Sequence, residues 1–225
     1  MPAGQEGFFA GLRDAAGEDW RQYVAHPFVK GLGDGTLPEA AFRHYLVQDY
    51  LFLIQFARAY GLAAYKADTL AEIRAASDGL KALVDVEMDL HRAYCADWGL
   101  DETALEAADA DGATLAYTSY VLERGLAGDL LDLRVALAPC VVGYGEIGAR
   151  LAADLSTRTD GNPYASWIEM YAGGEYQAFM RAEISALDGL AARRGGPARF
   201  DSLAATFRAA TRLEAAFWQA GLDAA

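Results

Sequence analysis

The sequence predicts an all-α protein that folds as one domain. Apolar residues recur at helical spacing along nearly the whole chain, and no stretch shows the alternation of a half-buried strand. Ala and Leu dominate and runs of β-branched residues are scarce, which favours helix. The 225 residues are 53% hydrophobic and contain no linker long or polar enough to separate two domains. We therefore treat residues 1–225 as one helical domain.

Glycine, proline and short polar runs divide the chain into about seven helices. In chain order, these breaks are Gly31–Gly35, Gly99–Asp101, Ala110–Gly112, Gly125–Gly128, Thr157–Asn162 and Arg193–Pro197. The predicted helices are Phe8–Val24, Pro38–Lys66, Ala67–Trp98, Glu106–Gly125, Asp129–Leu155, Pro163–Leu190 and Phe200–Ala220. The second opens with a proline in its first turn, where proline is well tolerated.

The charge and composition of the chain argue against several classes of function. The formal net charge of −13 argues against binding a nucleic-acid backbone, which requires clustered Lys and Arg. The N-terminus has no signal-peptide pattern, and no stretch reaches the ~20 apolar residues that span a membrane. The two cysteines, Cys95 and Cys140, have neither disulfide-framework nor metal-ligand spacing. We expect a cytoplasmic protein with reduced thiols and no membrane or nucleic-acid partner.

Cys140 directly follows Pro139, and this pair is the first candidate for chemistry. If Pro139 starts a helix, Cys140 lies in its first turn, where the helix dipole favours a thiolate. Tyr144 would share its face one turn later. The alternative is a small buried cysteine without chemistry, because free Cys is among the most buried residue types.

Asp49 interrupts an almost wholly apolar stretch of the second helix. At helical spacing it shares a face with Tyr45, Phe52 and Phe56. A carboxylate among aromatic rings is costly unless it is paired or hydrogen-bonded. Asp49 is therefore either a ligand-binding carboxylate or a buried Asp satisfied by another helix.

Glu214 lies on an aromatic face of the last helix with Phe217 and Trp218. A desolvated carboxyl group tends to have a raised pKa, which suits a general acid and base. The alternative is a surface ion pair with Arg208 or Arg212. Aromatic residues that would suit a flat, polar ring are also dense in the second half of the chain: Tyr117, Tyr120, Tyr144, Tyr164, Trp167, Tyr171 and Tyr176.

Two further sequence patterns resemble a dinucleotide-binding motif and a metal site, but each has a simpler structural explanation. Gly143-Tyr-Gly145-Glu-Ile-Gly148 matches the dinucleotide fingerprint, but that motif needs a preceding strand and βαβ units. Small residues that permit close helix contact explain it better. Glu87 and His91 are four residues apart, whereas the Glu-x-x-His pairs of di-iron bundles are spaced by three. We expect a structural Glu–His pair and no metal site.

Seven segments, in order along about 190 residues, resemble the TenA family, also called thiaminase II or aminopyrimidine aminohydrolases. They are His26-Pro-Phe-Val29 with Asp34-Gly-Thr-Leu-Pro38, Phe42-x-x-Tyr-Leu-x-Gln-Asp-Tyr50, Glu87-x-x-x-His91-x-x-Tyr94, Tyr117-Thr118, Leu137-Ala-Pro-Cys-x-x-x-Tyr144-x-x-x-Gly148, Asn162-Pro-Tyr164-x-x-Trp-Ile-x-x-Tyr171 and Glu214-x-x-Phe-Trp218. The resemblance implies a haem-oxygenase-like helical bundle, usually a homotetramer, without haem, metal or other cofactor.

The resemblance also implies residue roles. Cys140 matches the catalytic cysteine, Glu214 the acid and base, and Asp49 the residue that holds the pyrimidine. The substrate pocket would also contain aromatic rings, namely Phe52, Tyr117, Tyr144 and Tyr171. Phe52 departs from the Tyr of many members, so it keeps a stacking face and loses a hydroxyl, which can alter substrate orientation or rate.

The implied reaction replaces the exocyclic amine of 4-amino-5-aminomethyl-2-methylpyrimidine with a hydroxyl for thiamin salvage, and thiamin itself is a second possible substrate. Two other functions stay open. One is a non-catalytic pyrimidine-binding or regulatory protein on the same fold. The other is a metal-dependent oxidase, which the missing second set of metal ligands disfavours. Tyr120 and Glu146 receive no role.

Overall fold

The computed structural model describes residues 7–158 and 160–225, apart from the side chains of Val86, Glu87 and Leu90. Helices and their connections account for all of this described part, and it contains no strand. The α-helices are α1 (Phe8–Ala16), α2 (Glu18–Val24), α3 (Pro27–Asp34), α4 (Glu39–Lys66), α5 (Leu70–Ala82), α6 (Met88–Asp97), α7 (Glu102–Glu106), α8 (Gly112–Ala127), α9 (Leu130–Ala153), α10 (Ala165–Ala172), α11 (Gly174–Arg193) and α12 (Phe200–Asp223). A π-helical turn (Leu83–Glu87) joins α5 to α6, and a 3₁₀ turn (Gly196–Arg199) precedes α12. The all-α prediction is confirmed.

Helix α9 is the centre of the bundle. It packs against α8, α10, α11 and α12, and nearly all its residues from Leu130 to Gly148 are buried. Helix α4 lies alongside, in contact with α5, α6, α8 and α12. The two helices are mostly apolar all round, as expected of elements with neighbours on most sides. None of the described helices is long and apolar enough to cross a membrane.

Three predicted helices are divided in the structure. The predicted Phe8–Val24 helix breaks at Gly17, whose φ of +46° is incompatible with a right-handed helix. The predicted Ala67–Trp98 helix contains the π-helical turn, and the predicted Pro163–Leu190 helix breaks at Gly173, the single residue between α10 and α11.

The glycine-rich segment predicted as a break is instead largely helix α3. Pro27 occupies the first turn of α3, and Gly35 ends the helix in the left-handed conformation with a φ of +73°. Gly33 packs closely on Leu151 of α9. The glycines therefore allow close packing in α3 without breaking it.

The Gly143–Gly148 pattern lies within α9 and permits close helix contacts, as expected. A methyl group at Gly143 would meet the Tyr23 ring, and one at Gly145 would meet the Met180 sulfur. At Gly148 it would meet the backbone of Tyr171. The motif therefore brings α2, α10 and α11 onto α9.

Candidate active site

The three residues proposed for chemistry come from three different helices and are all buried. Asp49 of α4 is 2% exposed, Cys140 of α9 is 8% exposed, and Glu214 of α12 is 1% exposed. The four proposed ring-binding aromatics are buried as well: Phe52, Tyr117, Tyr144 and Tyr171. Tyr45 joins their surroundings, because its ring lies 6.0 Å from that of Phe217 and 5.1 Å from that of Trp218. The charge of Cys140 acts on Tyr117, so these residues form one cluster inside the bundle.

Asp49 accepts two short hydrogen bonds through a single oxygen. Tyr45 Oη donates to Oδ2 at 2.7 Å, and His91 Nε2 of α6 lies 2.7 Å from the same atom. Trp167 Nε1 in turn donates to Tyr45 Oη at 3.1 Å. No described residue donates a hydrogen bond to Oδ1 of Asp49. The carboxylate is therefore held from one side, and its second oxygen can accept a hydrogen bond from a ligand.

Glu214 is bound to α8 rather than to a surface arginine. Tyr117 Oη donates to Glu214 Oε1 at 2.8 Å. Arg208 and Arg212, the alternative partners, lie on the exposed side of α12 and pair with Asp19 of α2, each at 3.1 Å. The surface-pair interpretation of Glu214 is therefore wrong.

Cys140 lies in the middle of α9, so the expectation that Pro139 begins a helix is wrong. Proline inside a helix has no N–H to donate to the carbonyl four residues earlier, here Val135, and it bends the helix. Helix α9 nevertheless continues, because its burial against α8, α11 and α12 outweighs this local cost. Cys140 therefore does not lie at the N-terminus of its helix, and the helix dipole does not favour its thiolate.

Aromatic rings pack around the polar groups. Phe52 packs against Tyr117 with ring centroids 4.9 Å apart and against Phe217 at 5.7 Å. Tyr144 contacts Tyr171 at 5.0 Å and Trp218 at 5.2 Å. Such surfaces favour a flat aromatic ligand, which can stack on rings and meet polar groups at its edge.

The buried tyrosines of the cluster remain protonated at physiological pH. Burial raises the pKa of Tyr117 well above 10, and the negative charge of Glu214 raises it further. Burial and then the charge of Asp49 do the same to the pKa of Tyr144. The cluster therefore combines two carboxyl groups with neutral phenol donors.

Tyr23 and His91 are among the residues that contact the cluster and were not predicted as site residues. Tyr23 of α2 packs on Gly143 of α9 and donates from its hydroxyl to the Pro139 carbonyl at 3.3 Å. Burial, followed by the charges of Glu214 and Cys140, raises its pKa well above 10. His91 was expected to pair with Glu87, whose side chain lies outside the described part, and the structure places its Nε2 atom beside Asp49. The spacing of Glu87 and His91 compares residues of one segment only and could not indicate Asp49 of α4.

Tyr120 and Glu146 lie outside the contacts that join the cluster. The Tyr120 ring is half-buried on α8, beneath the Arg124 guanidinium at 5.8 Å. Glu146 accepts a hydrogen bond from Trp20 Nε1 at 3.2 Å and lies 3.6 Å from Arg13. Within the described residues, no group of three or more His, Cys, Asp or Glu side chains could hold a metal ion.

Comparison with known proteins finds relatives and a solved structure that agree on one family. An aminopyrimidine aminohydrolase from Halalkalibacterium halodurans is 38% identical over 215 residues, 94% of this chain and 93% of the relative. Another from Bacillus subtilis is 34% identical over 181 residues, 80% of this chain and 75% of the relative. The crystal structure of a TenA family transcription regulator from Silicibacter sp. TM1040 is 47% identical and superimposes with a TM-score of 0.90, covering 96% of each chain.

The family model described as TENA/THI-4/PQQC matches residues 13–224, nearly the whole chain. This match agrees with the all-α single-domain architecture and with the similarity to the two aminohydrolases. The chain therefore belongs to the TENA/THI-4/PQQC family.

Proposed function

We propose that this protein is an aminopyrimidine aminohydrolase that converts 4-amino-5-aminomethyl-2-methylpyrimidine and water into the 5-hydroxymethyl product and ammonia, for thiamin salvage. Relatives of that name cover most of the chain. The observation that carries the proposal is the burial of Cys140, Asp49 and Glu214 among aromatic rings. A thiol, an anchored carboxylate and a second carboxyl group are the groups that this reaction needs.

Asp49 and the aromatic rings would bind the pyrimidine. The Oδ1 atom of Asp49 would accept a hydrogen bond from the ring amino group, while His91 and Tyr45 hold Oδ2. Phe52, Tyr144 and Tyr171 would pack on the flat ring, and Tyr117 would contact its edge through the hydroxyl bound to Glu214. This arrangement binds the ring before any bond is broken.

Cys140 would act as the nucleophile. Its thiolate adds to a ring carbon, and the new C–S bond interrupts the aromaticity of the ring. The displaced electron pair expels the amine from the exocyclic methylene, so that carbon becomes an electrophilic double-bond terminus. Water adds there, and loss of the thiolate restores the aromatic ring.

Glu214 would supply and then accept the proton. As an acid it protonates the departing amine, and as a base it takes a proton from the attacking water. This double role requires a pKa near the working pH, which burial of a carboxyl group favours. Thiamin could enter the same sequence with its thiazole as the leaving group.

Turnover of the aminomethylpyrimidine by the purified protein, followed by chromatography, tests the proposal. We expect the wild type to form the hydroxymethylpyrimidine and Cys140→Ser to form none, with the same circular dichroism spectrum. Cys95→Ala is the matched control, because Cys95 is buried on α6 and makes none of the contacts described for the site, and we expect it to retain activity. Absence of product from the wild type with this substrate and with thiamin would contradict the proposal and favour a binding or regulatory role.

We also propose that the protein is a cytoplasmic homotetramer. Large apolar side chains are exposed on the bundle, among them Leu115 (55%) and Leu126 (69%) of α8 and Tyr65 (86%) at the end of α4. Exposed apolar faces of this kind are typical of surfaces that meet another subunit.

A further inference from the structure

The site described above is deeply buried, so a ligand must pass between side chains to reach it. Cys140 is the most exposed of the three groups proposed for chemistry, at only 8%. A cavity of about 390 Å³ opens between Ala82 at the end of α5, Leu83 of the π-helical turn, and the junction of α10 with α11. Its volume is within the range of small-molecule pockets, roughly 300–1,000 Å³.

Tyr176 connects this cavity with the candidate site. It lines the cavity near the start of α11, and its hydroxyl donates to the carbonyl of Val141, the neighbour of Cys140, at 3.2 Å. Its ring packs edge-on against Tyr171, with centroids 4.8 Å apart. One aromatic side chain therefore spans the distance from the cavity to the helix that carries the thiol.

We propose that this cavity is the vestibule through which the substrate reaches Cys140, and that Tyr176 is the side chain that must move to admit it. The identity of the substrate rests on the proposed function, whereas the route to the thiol does not. Gly173 is the single residue between α10 and α11 and lies three positions before Tyr176. A small rotation at this junction would withdraw the ring from α9 without unfolding α11.

The walls of the vestibule match a cationic aromatic molecule. Met170, Tyr176 and Phe179 provide apolar and aromatic surface, and Glu169 and Glu175 place two exposed carboxylates on the cavity. Neither carboxylate forms an ion pair with another residue of the described part. An aminomethylpyrimidine carries an ammonium group at neutral pH. Its ring can pack on the aromatic wall of the vestibule, and its positive charge is attracted by the two carboxylates.

The first experiment narrows the vestibule with Ala82→Trp and measures the rate at which iodoacetamide alkylates Cys140. The matched control is Ala93→Trp, because Ala93 also lies on a helix beside a cavity of similar size, about 440 Å³, on another face. We expect Ala82→Trp to slow alkylation of Cys140 and to lower kcat/KM for the pyrimidine at least about tenfold. The control is expected to stay within about twofold of the wild type for both quantities. Alkylation of Cys95, which is fully buried, reports any global unfolding in the same peptide map.

The second experiment removes the gate with Tyr176→Ala, while Tyr176→Phe removes only the hydroxyl. We expect alkylation of Cys140 to accelerate in both, more strongly in Tyr176→Ala, with Cys95 unmodified. Labelling of Cys140 that is unchanged in Ala82→Trp and in Tyr176→Ala would overturn the vestibule proposal. Because labelling does not require catalysis, the route can be confirmed even if the wild type fails to hydrolyse the pyrimidine, which would refute only the proposed function.

Discussion

Tyr117 connects one proposed catalytic group to the aromatic wall of the site. Its hydroxyl donates to Glu214 at 2.8 Å, and its ring packs on Phe52. We expect Tyr117→Phe to lower kcat about tenfold with a smaller change in KM, because a buried carboxylate loses a donor that orients it. Steady-state kinetics with the aminomethylpyrimidine measures kcat and KM of the variant and the wild type.

Tyr120 provides the matched control on the same helix. Its half-buried ring lies under Arg124 and outside the cluster, so Tyr120→Phe should leave both kinetic constants within about twofold of the wild type. Equal losses of kcat in the two variants would show that removing a hydroxyl from α8 acts through general stability and not through Glu214.

The sequence indicated some candidate site residues but not the contacts that they make with other helices. Asp49 and Glu214 stood out in the sequence because a carboxylate on an aromatic helix face is costly, although this argument left a surface ion pair open for Glu214. His91 was not recognisable as the partner of Asp49, since the two are 42 positions apart and on different helices. Helical spacing reports neighbours on one element and contains no information about which side chain of another element will meet them.

The glycines of α9 allow a test at the scale of helix packing. A methyl group at Gly143 would come within 2.2 Å of the Tyr23 ring, which is fully buried and cannot move into solvent. We expect Gly143→Ala to lower the free energy of unfolding by about 1–3 kcal/mol, because the core is overpacked. Urea denaturation of the two proteins measures the difference.

Gly61 is the matched control in helix α4, with no heavy atom within 4 Å of an added methyl group. Gly61→Ala should raise the free energy of unfolding by about 0.5–1 kcal/mol, the usual gain in helix propensity. A stabilising effect of Gly143→Ala would contradict the close approach of α2 to α9.

The long helices could be predicted, whereas several of their ends and interruptions could not. Helix α4 differs by one residue from its prediction, because a long, mostly apolar run after Pro38 indicates a buried helix. Pro139 led to a wrong local expectation, since the burial that keeps α9 continuous depends on helices distant in sequence. The turn at Gly17 depends on a backbone angle that composition alone does not reveal.

For the whole molecule, the buried tyrosines predict a loss of stability in alkaline solution. Burial raises the pKa of Tyr23, Tyr45, Tyr117 and Tyr144 well above 10, and burial raises that of Cys95 to about 11. Below about pH 9 both folded and unfolded chains keep the tyrosine protons, whereas the Cys95 thiol of the unfolded chain already ionises at about pH 8.5. At higher pH the unfolded chain loses them first, so each tyrosine lowers the free energy of unfolding by up to about 1.4 kcal/mol per pH unit above about pH 10.

Urea midpoints measured from about pH 8 to about pH 11 check this expectation, since tyrosine ionises near pH 10 in an unfolded chain. Near-ultraviolet absorbance, recorded in parallel, should show tyrosinate from exposed residues such as Tyr65 first and a second rise together with unfolding. A midpoint that stays constant up to about pH 11 would contradict the protonated, buried state of these phenols.

The packing of α1 and α2 on α12 has a consequence for how the chain is made. Phe9 and Trp20 lie against Phe207, with ring centroids 5.8 Å and 5.5 Å away. At a synthesis rate of roughly 5–20 residues per second, these N-terminal aromatics wait on the order of 10 to 40 s before α12 is made. During that interval their apolar faces lack their native partner. A nascent chain of this protein therefore depends on transient shielding, by its own loose packing or by a chaperone, until the helix that also carries Glu214 is complete.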